Sequence, residues 1–336
     1  MFNINYFKNK FNEGLNTKLE SSGGGLKVSI NGGELKDVES LDLNTIFDGN
    51  WGDVSTLPYE FYAGSAVVLD NEIHILGSSA NSSNYTKHYK YNTSTKTWSN
   101  VSTLPYNFYS SSAIVLNNEI HILGSNNSSY RKYHYKYNTS TNTWSKVSTL
   151  PYDFYSGSAI VLDNEIHILG SISSLTSHYK YNISNNTWSK VSTLPYEFYN
   201  GGAILLNNEI HILGGGNSSY YTKHYKYNTS TKTWSNVSTL PYQFYSGSAV
   251  VLNNEIHILG GYNSNSGSGL TMHYKYNTST KTWSNVSTLP YDFYGESAIV
   301  LDNEIHILGG WNNYTKHYSI SSLLSISKLI EKKTTS

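Results

Sequence analysis

Lys87–Tyr106 reads KHYKYNTSTKTWSNVSTLPY, and the same twenty letters return at Lys223–Tyr242. A catalytic centre gains little from copying itself, whereas an architecture of identical parts depends on it. The closing dipeptide Leu-Pro marks the period. Its prolines are Pro58, Pro105, Pro151, Pro195, Pro241 and Pro290, all the prolines of the chain, and they are spaced 44 to 49 residues apart. Each is followed by an apolar run such as SAVVL at Ser65 or GAILL at Gly202, then by Asp-Asn or Asn-Asn, then by EIHILG in all six copies. Residues that tolerate positive φ between two β-type runs predict a tight type I′ hairpin. A variable loop leads to a third run, HYKYN, and a turn TSTK leads to a fourth that begins at Trp98, Trp144, Trp188, Trp234 or Trp283.

Four short antiparallel strands in each of six units predict an all-β fold, a six-bladed β-propeller. The unit resembles the kelch repeat. YNTSTKTW keeps a Tyr and a Trp separated by six residues, with Asn where the family has Asp, and EIHILGG at Glu255 and Glu304 is similar to the family's second strand with its double glycine. Three copies depart to Gly-Ser, at Gly77, Gly124 and Gly170, and Phe61 and Gly64 stand where kelch repeats often carry Arg and His. The last copy lacks a fourth strand, while the chain offers an orphan one around 47–54 with Trp51. Set against Tyr318, that strand completes the sixth blade and removes an open sheet edge.

The expected organisation is an N-terminal extension over 1–45, a propeller over 46–320 and a tail over 321–336. In the extension, Phe7, Phe11, Leu15 and Leu19 suggest an amphipathic helix, and LKVSINGGELKDV suggests a hairpin about Asn31-Gly32-Gly33. This segment is a candidate attachment or oligomerisation element. Leu323, Ile326 and Ile330 have helical spacing in the tail.

Twenty-three Lys and Arg balance twenty-three Asp and Glu. A neutral chain lacks the electrostatic footprint for nucleic acid or an anionic membrane surface, so neither is an expected partner. No apolar run reaches membrane-spanning length and the N-terminus lacks a signal-peptide core, which makes the cytoplasm the default location, with a virion or cell surface as the alternative. With no cysteine there is no disulfide, thiolate metal site or thiol nucleophile.

Strands one and three of a meander run the same way, so the four-to-one and two-to-three connections share one face. The hairpin turns of the other face barely vary, whereas the two-to-three loops all differ, from SISSLTS to GYNSNSGSGLTM. The variable face also receives LPYxFY. That connection supplies Tyr59, Glu60 and Tyr62, then Tyr106, Asn107 and Tyr109, then Tyr152, Asp153 and Tyr155. Its later copies supply Tyr196, Glu197 and Tyr199, then Tyr242, Gln243 and Tyr245, then Tyr291, Asp292 and Tyr294. Arg131, the only arginine, and Trp311 join them as candidate ligand-binding residues. Aromatic rings with acids and amides suit a sugar, and equally a peptide with apolar side chains. The competing expectation for any one ring is a wedge between blades, with one ring per copy exposed.

All twelve histidines lie in the repeats, two per blade. Their spread around the ring favours packed, hydrogen-bonded roles over metal ligation. No metal or cofactor is expected. Among enzymes that the kelch resemblance brings in, a copper oxidase needs a Tyr–Cys crosslink, and a sialic-acid mutarotase needs arginines for a carboxylate. The expected function is therefore non-catalytic recognition of a glycan or protein, on a phage tail or bacterial surface. A cytoplasmic kelch scaffold, or a sugar mutarotase, is the alternative.

Overall fold

The structure, a computed structural model, describes residues 17–22, 25–30, 36–37 and 50–321, except positions 220, 265 and 296. The chain divides into two compact units, one of residues 51–321 and one of residues 1–50 with 322–336. In the second unit, strands Thr17–Ser22, Gly25–Ile30 and Lys36–Asp37 form an antiparallel sheet in that order. Leu19 thus lies in a strand. Phe7, Phe11, Leu15, the turn at 31–33 and the helical spacing of the tail lie outside the described residues.

The 51–321 unit is a six-bladed β-propeller. Blade one runs outward from Ser65–Leu69 through Glu72–Leu76 and Lys87–Asn92 to Thr97–Thr103, each strand antiparallel to the last. Blades two to five repeat this order. The six inner strands pack in a closed circle, that of blade six against that of blade one. Blade six takes its outer strand from the other end of the propeller chain: Gly52–Thr56 pairs with Lys316–Ser321, with Asp53 opposite Tyr318 and Gly52 opposite Ser319.

Local chemistry accounts for the elements. Both residues of every inner hairpin turn have positive φ, as in Asp70 (51°) and Asn71 (61°), the type I′ geometry that matches strand twist. Each blade buries one face of apolar side chains against its neighbour. Val67, Leu69 and Leu76 of blade one, for example, join Leu104, Tyr106, Phe108, Ile120 and Ile122 in one cluster. The Phe of LPYxFY is the wedge: Phe61, Phe108, Phe154, Phe198, Phe244 and Phe293 are all fully buried. Burial of one such ring is worth roughly 1.5–3 kcal/mol, about as much as each buried Leu or Ile beside it.

The glycine that ends each second strand is required by the neighbouring blade. At Gly170, φ is +59° and an added Cβ would sit 1.9 Å from the Phe198 carbonyl oxygen. In blade five the variable loop does more than connect. Tyr262–Asn263 pairs with Ser268–Gly269, the third strand begins early at Ser268, and the outer strand Thr282–Phe293 runs through its own LPYDF.

Candidate functional site

The LPYxFY connection is anchored to the two-to-three loop of the preceding blade, which places both on one face. Leu104 and Phe108 donate their N–H groups to the carbonyls of Thr86 and Tyr85, and Leu57 and Phe61 donate to Thr315 and Tyr314 across the closure. Within this connection the two tyrosines have different fates. The first points into its own blade, where the hydroxyls of Tyr59, Tyr106, Tyr152, Tyr196, Tyr242 and Tyr291 donate to the carbonyls of Gly77, Gly124, Gly170, Gly214, Gly260 and Gly309 at 2.9–3.1 Å. Burial raises the pKa of those hydroxyls that show a shift, Tyr59, Tyr106, Tyr152, Tyr196 and Tyr242. These six rings brace the strand-ending glycines and do not line the cavity described next.

The second tyrosines, Tyr62, Tyr109, Tyr155, Tyr199, Tyr245 and Tyr294, are half-buried, not exposed as expected, and of the six Tyr62 lines the central funnel. Tyr85 stacks on Tyr109 with centroids 4.9 Å apart, Tyr199 meets Tyr245 edge-on at 6.0 Å, and Asn200 donates to the Tyr245 hydroxyl at 2.8 Å. The Arg131 guanidinium lies 4.3 Å above the Tyr155 ring and 3.8 Å from the Asp153 carboxylate, while its buried Nε has no protein partner. Of the residues between the tyrosines, Glu60, Gln243 and Asp292 are exposed, whereas Asn107, Asp153 and Glu197 are half-buried. Asn217 donates to the Glu197 carboxylate at 3.0 Å.

The funnel encloses about 520 Å³ and is lined from all six blades by small residues such as Ser110, Ser156, Gly201 and Ser246, with Asn126, Ile172 and Asn200. At its wall is a closed ring. Ala63 donates its N–H to Gly295, Ser110 to Ala63, Ser156 to Ser110, Asn200 to Ser156, Ser246 to Asn200 and Gly295 to Ser246, all at 2.6–2.9 Å. Every member of the ring is left-handed, with φ between 48° and 68°. A second tier of serines ties the inner strands together: Ser112 and Ser158 donate to the Gly157 and Gly201 carbonyls, and Ser65 accepts from the Ala113 N–H.

Above the ring, one backbone position differs in every blade. Two residues after the strand-ending glycine stand Ser79, Asn126, Ile172, Gly216, Tyr262 and Trp311. In the first five blades its N–H donates to the carbonyl of that blade's second tyrosine. Trp311 is 42% exposed and Ile172 43%, and they occupy opposite blades, six and three. Trp311 contacts Tyr62, Tyr294 and Tyr314 with ring centroids 5.3, 6.2 and 6.1 Å away, and Tyr262 lies 5.2 Å from Tyr294. Sequence reasoning found Trp311 but not the equivalence of these six positions, whose signal is their fixed offset from EIHILG. The opposite face holds a second cavity of about 440 Å³ between blades two and three, at the atypical turn carrying Ile183 and Asn185.

The histidines form no part of the funnel lining. In each blade the second-strand histidine Nδ1 meets the third-strand histidine Nε2, as in His121 and His134 at 2.8 Å. The His134 Nδ1 meets Ser148 Oγ at 2.8 Å, and that oxygen accepts from the indole N–H of Trp188 in the next blade at 2.9 Å. The chain recurs at every seam. At the closure, His257, His273 and Ser287 lead to Trp51, and His306, His317 and Ser55 lead to Trp98. With Ser donating to the nearer His and that His donating to the farther one, each contact of the chain joins a donor to an acceptor with neutral rings. Desolvation lowers the pKa of His121 to about 4 and of His88 and His178 to about 3.

Comparison with known proteins agrees with this architecture. A kelch motif model matches residues 244–290, from the LPYxFY connection of blade five to the start of the next one. No curated protein matches the chain. Among solved structures, that of YjhT superposes with a TM-score of 0.69 at 15% identity, covering 79% of this chain and 95% of that one. At that identity the likeness is one of fold.

Proposed function

We propose that this six-bladed propeller, with its kelch motif, is a non-catalytic recognition module that binds a glycan or protein ligand at the funnel face. The observation that carries this reading is the concentration of difference on one face. Six blades share their seams nearly residue for residue, yet the rim position runs through Ser79, Asn126, Ile172, Gly216, Tyr262 and Trp311. A fold needs no such variety, whereas a surface that must fit one asymmetric ligand does. The funnel wall supports binding over turnover. Its inner-strand serines are engaged between blades, and catalysis requires unlike groups converging on one point.

The test is to probe the intact chain against a glycan array and against candidate protein ligands, then to repeat with Glu60→Gln, Asp153→Asn, Glu197→Gln and Asp292→Asn made singly. Graded losses of about two- to tenfold are expected, as for polar contacts around a site. If one of these changes abolishes turnover of a sugar, the chain is an enzyme and the reading fails.

A further inference from the structure

We infer that the funnel selects a neutral, polyhydroxylated ligand, the terminal hexose of a glycan, and discriminates against its anionic counterparts. This rests on the recognition reading above and names the ligand class for the same site.

The hydrogen-bonding character of the wall is the starting point. Left-handed residues commonly turn N–H groups into a concavity that binds anions. Here Ala63, Ser110, Ser156, Asn200, Ser246 and Gly295 each give their N–H to the next member of the ring, so none of the six is left for a ligand. Each carbonyl in the ring accepts one of those bonds and keeps a second lone pair. At the ring itself the main chain therefore offers only acceptors. A ligand that meets it must bring donors, and hydroxyl groups do so without charge. A carboxylate or phosphate brings none. No described residue lining the cavity carries a charge, so nothing there offsets the desolvation of an ion.

The mouth supplies the complementary apolar contacts. Trp311 and Ile172 are exposed at the same register on opposite blades, and Tyr62 and Tyr294 flank the indole. The C–H face of a pyranose packs on such a surface while its hydroxyls reach the ring of carbonyls. The cavity, at about 520 Å³, falls within the range of small-ligand sites.

The experiment uses the full chain with methyl glucoside, methyl galactoside and methyl mannoside, alongside glucuronate, galacturonate and glucosamine. Binding is read by saturation-transfer NMR and by the fluorescence difference between wild type and Trp311→Phe. At least one neutral hexoside is expected to bind in the millimolar range, with affinity unchanged by added salt. Its uronate should bind at least about tenfold more weakly, and Trp311→Ala should weaken the neutral sugar about tenfold without shifting the melting temperature. Equal or tighter binding of a uronate or of glucosamine overturns the inference. So does silence of all three neutral hexosides. If a protein ligand binds the funnel face while those sugars are silent, the recognition reading survives and this inference alone falls.

Discussion

At the scale of single residues, the two serines that follow the tryptophan in five of the six blades have unlike work. The serine four positions after each blade tryptophan joins two blades, because its oxygen serves a histidine of its own sheet and an indole of the next. Replacing Ser148 by Ala leaves the His134 Nδ1 and the Trp188 N–H without a partner at a buried seam. A loss of about 1–3 kcal/mol is expected in urea unfolding. Ser145→Ala, at an exposed position on the same strand, should stay within about 0.5 kcal/mol. The histidines were legible as packed groups because their even spacing spreads them around the ring. Their partners were not, since the chain joins residues forty or more positions apart, as between Ser148 and Trp188. Tyr59 and Tyr62 show the same limit. Sequence makes them equal members of one motif, and only the reach of a hydroxyl to Gly77 separates the brace from the rim.

At the scale of elements, the period, the type I′ turns and the missing fourth strand were readable, since turn chemistry and strand alternation are local. The orphan strand expected around 47–54 is observed at Gly52–Thr56, with Trp51 just before it in the role of the other blade tryptophans. The ladder of blade five was not readable: its loop of Ser, Asn and Gly has weak strand propensity, yet extends the sheet through Tyr262–Asn263. The left-handed ring was equally hidden, because Ala63, Ser110, Asn200 and Gly295 share no side-chain chemistry. Close approach between elements also sets the tolerance of the glycines. Gly170→Ala must place a methyl group against the Phe198 carbonyl in a left-handed backbone. It is expected to cost at least about 2–3 kcal/mol, read as a drop in melting temperature of several degrees.

At the scale of the whole molecule, the six seams answer together to acid. Histidine in an unfolded chain titrates near 6.5. In the fold, desolvation lowers the pKa of His74, His121, His167 and His211 to about 4 and of His88, His178, His224, His257 and His317 to about 3. Neutral rings in the native state against protonated ones in the unfolded chain mean that stability is full above about pH 6.5 and falls as pH drops towards 4. At pH 5 each such group costs about 2 kcal/mol, and nine together exceed the 5–15 kcal/mol that holds a typical domain. Cooperative unfolding with uptake of several protons is expected between pH 5 and 6 by tryptophan fluorescence, whereas a native spectrum at pH 4 would contradict the account. The pairing of Asp53 with Tyr318 carries a consequence for biosynthesis. The strand that completes blade six leaves the ribosome among the first parts of the propeller, and its partner leaves among the last. Throughout translation the nascent arc keeps an unmated sheet edge at each end, so any product cut short before residue 316 is an open arc that a chaperone must shield or a protease remove.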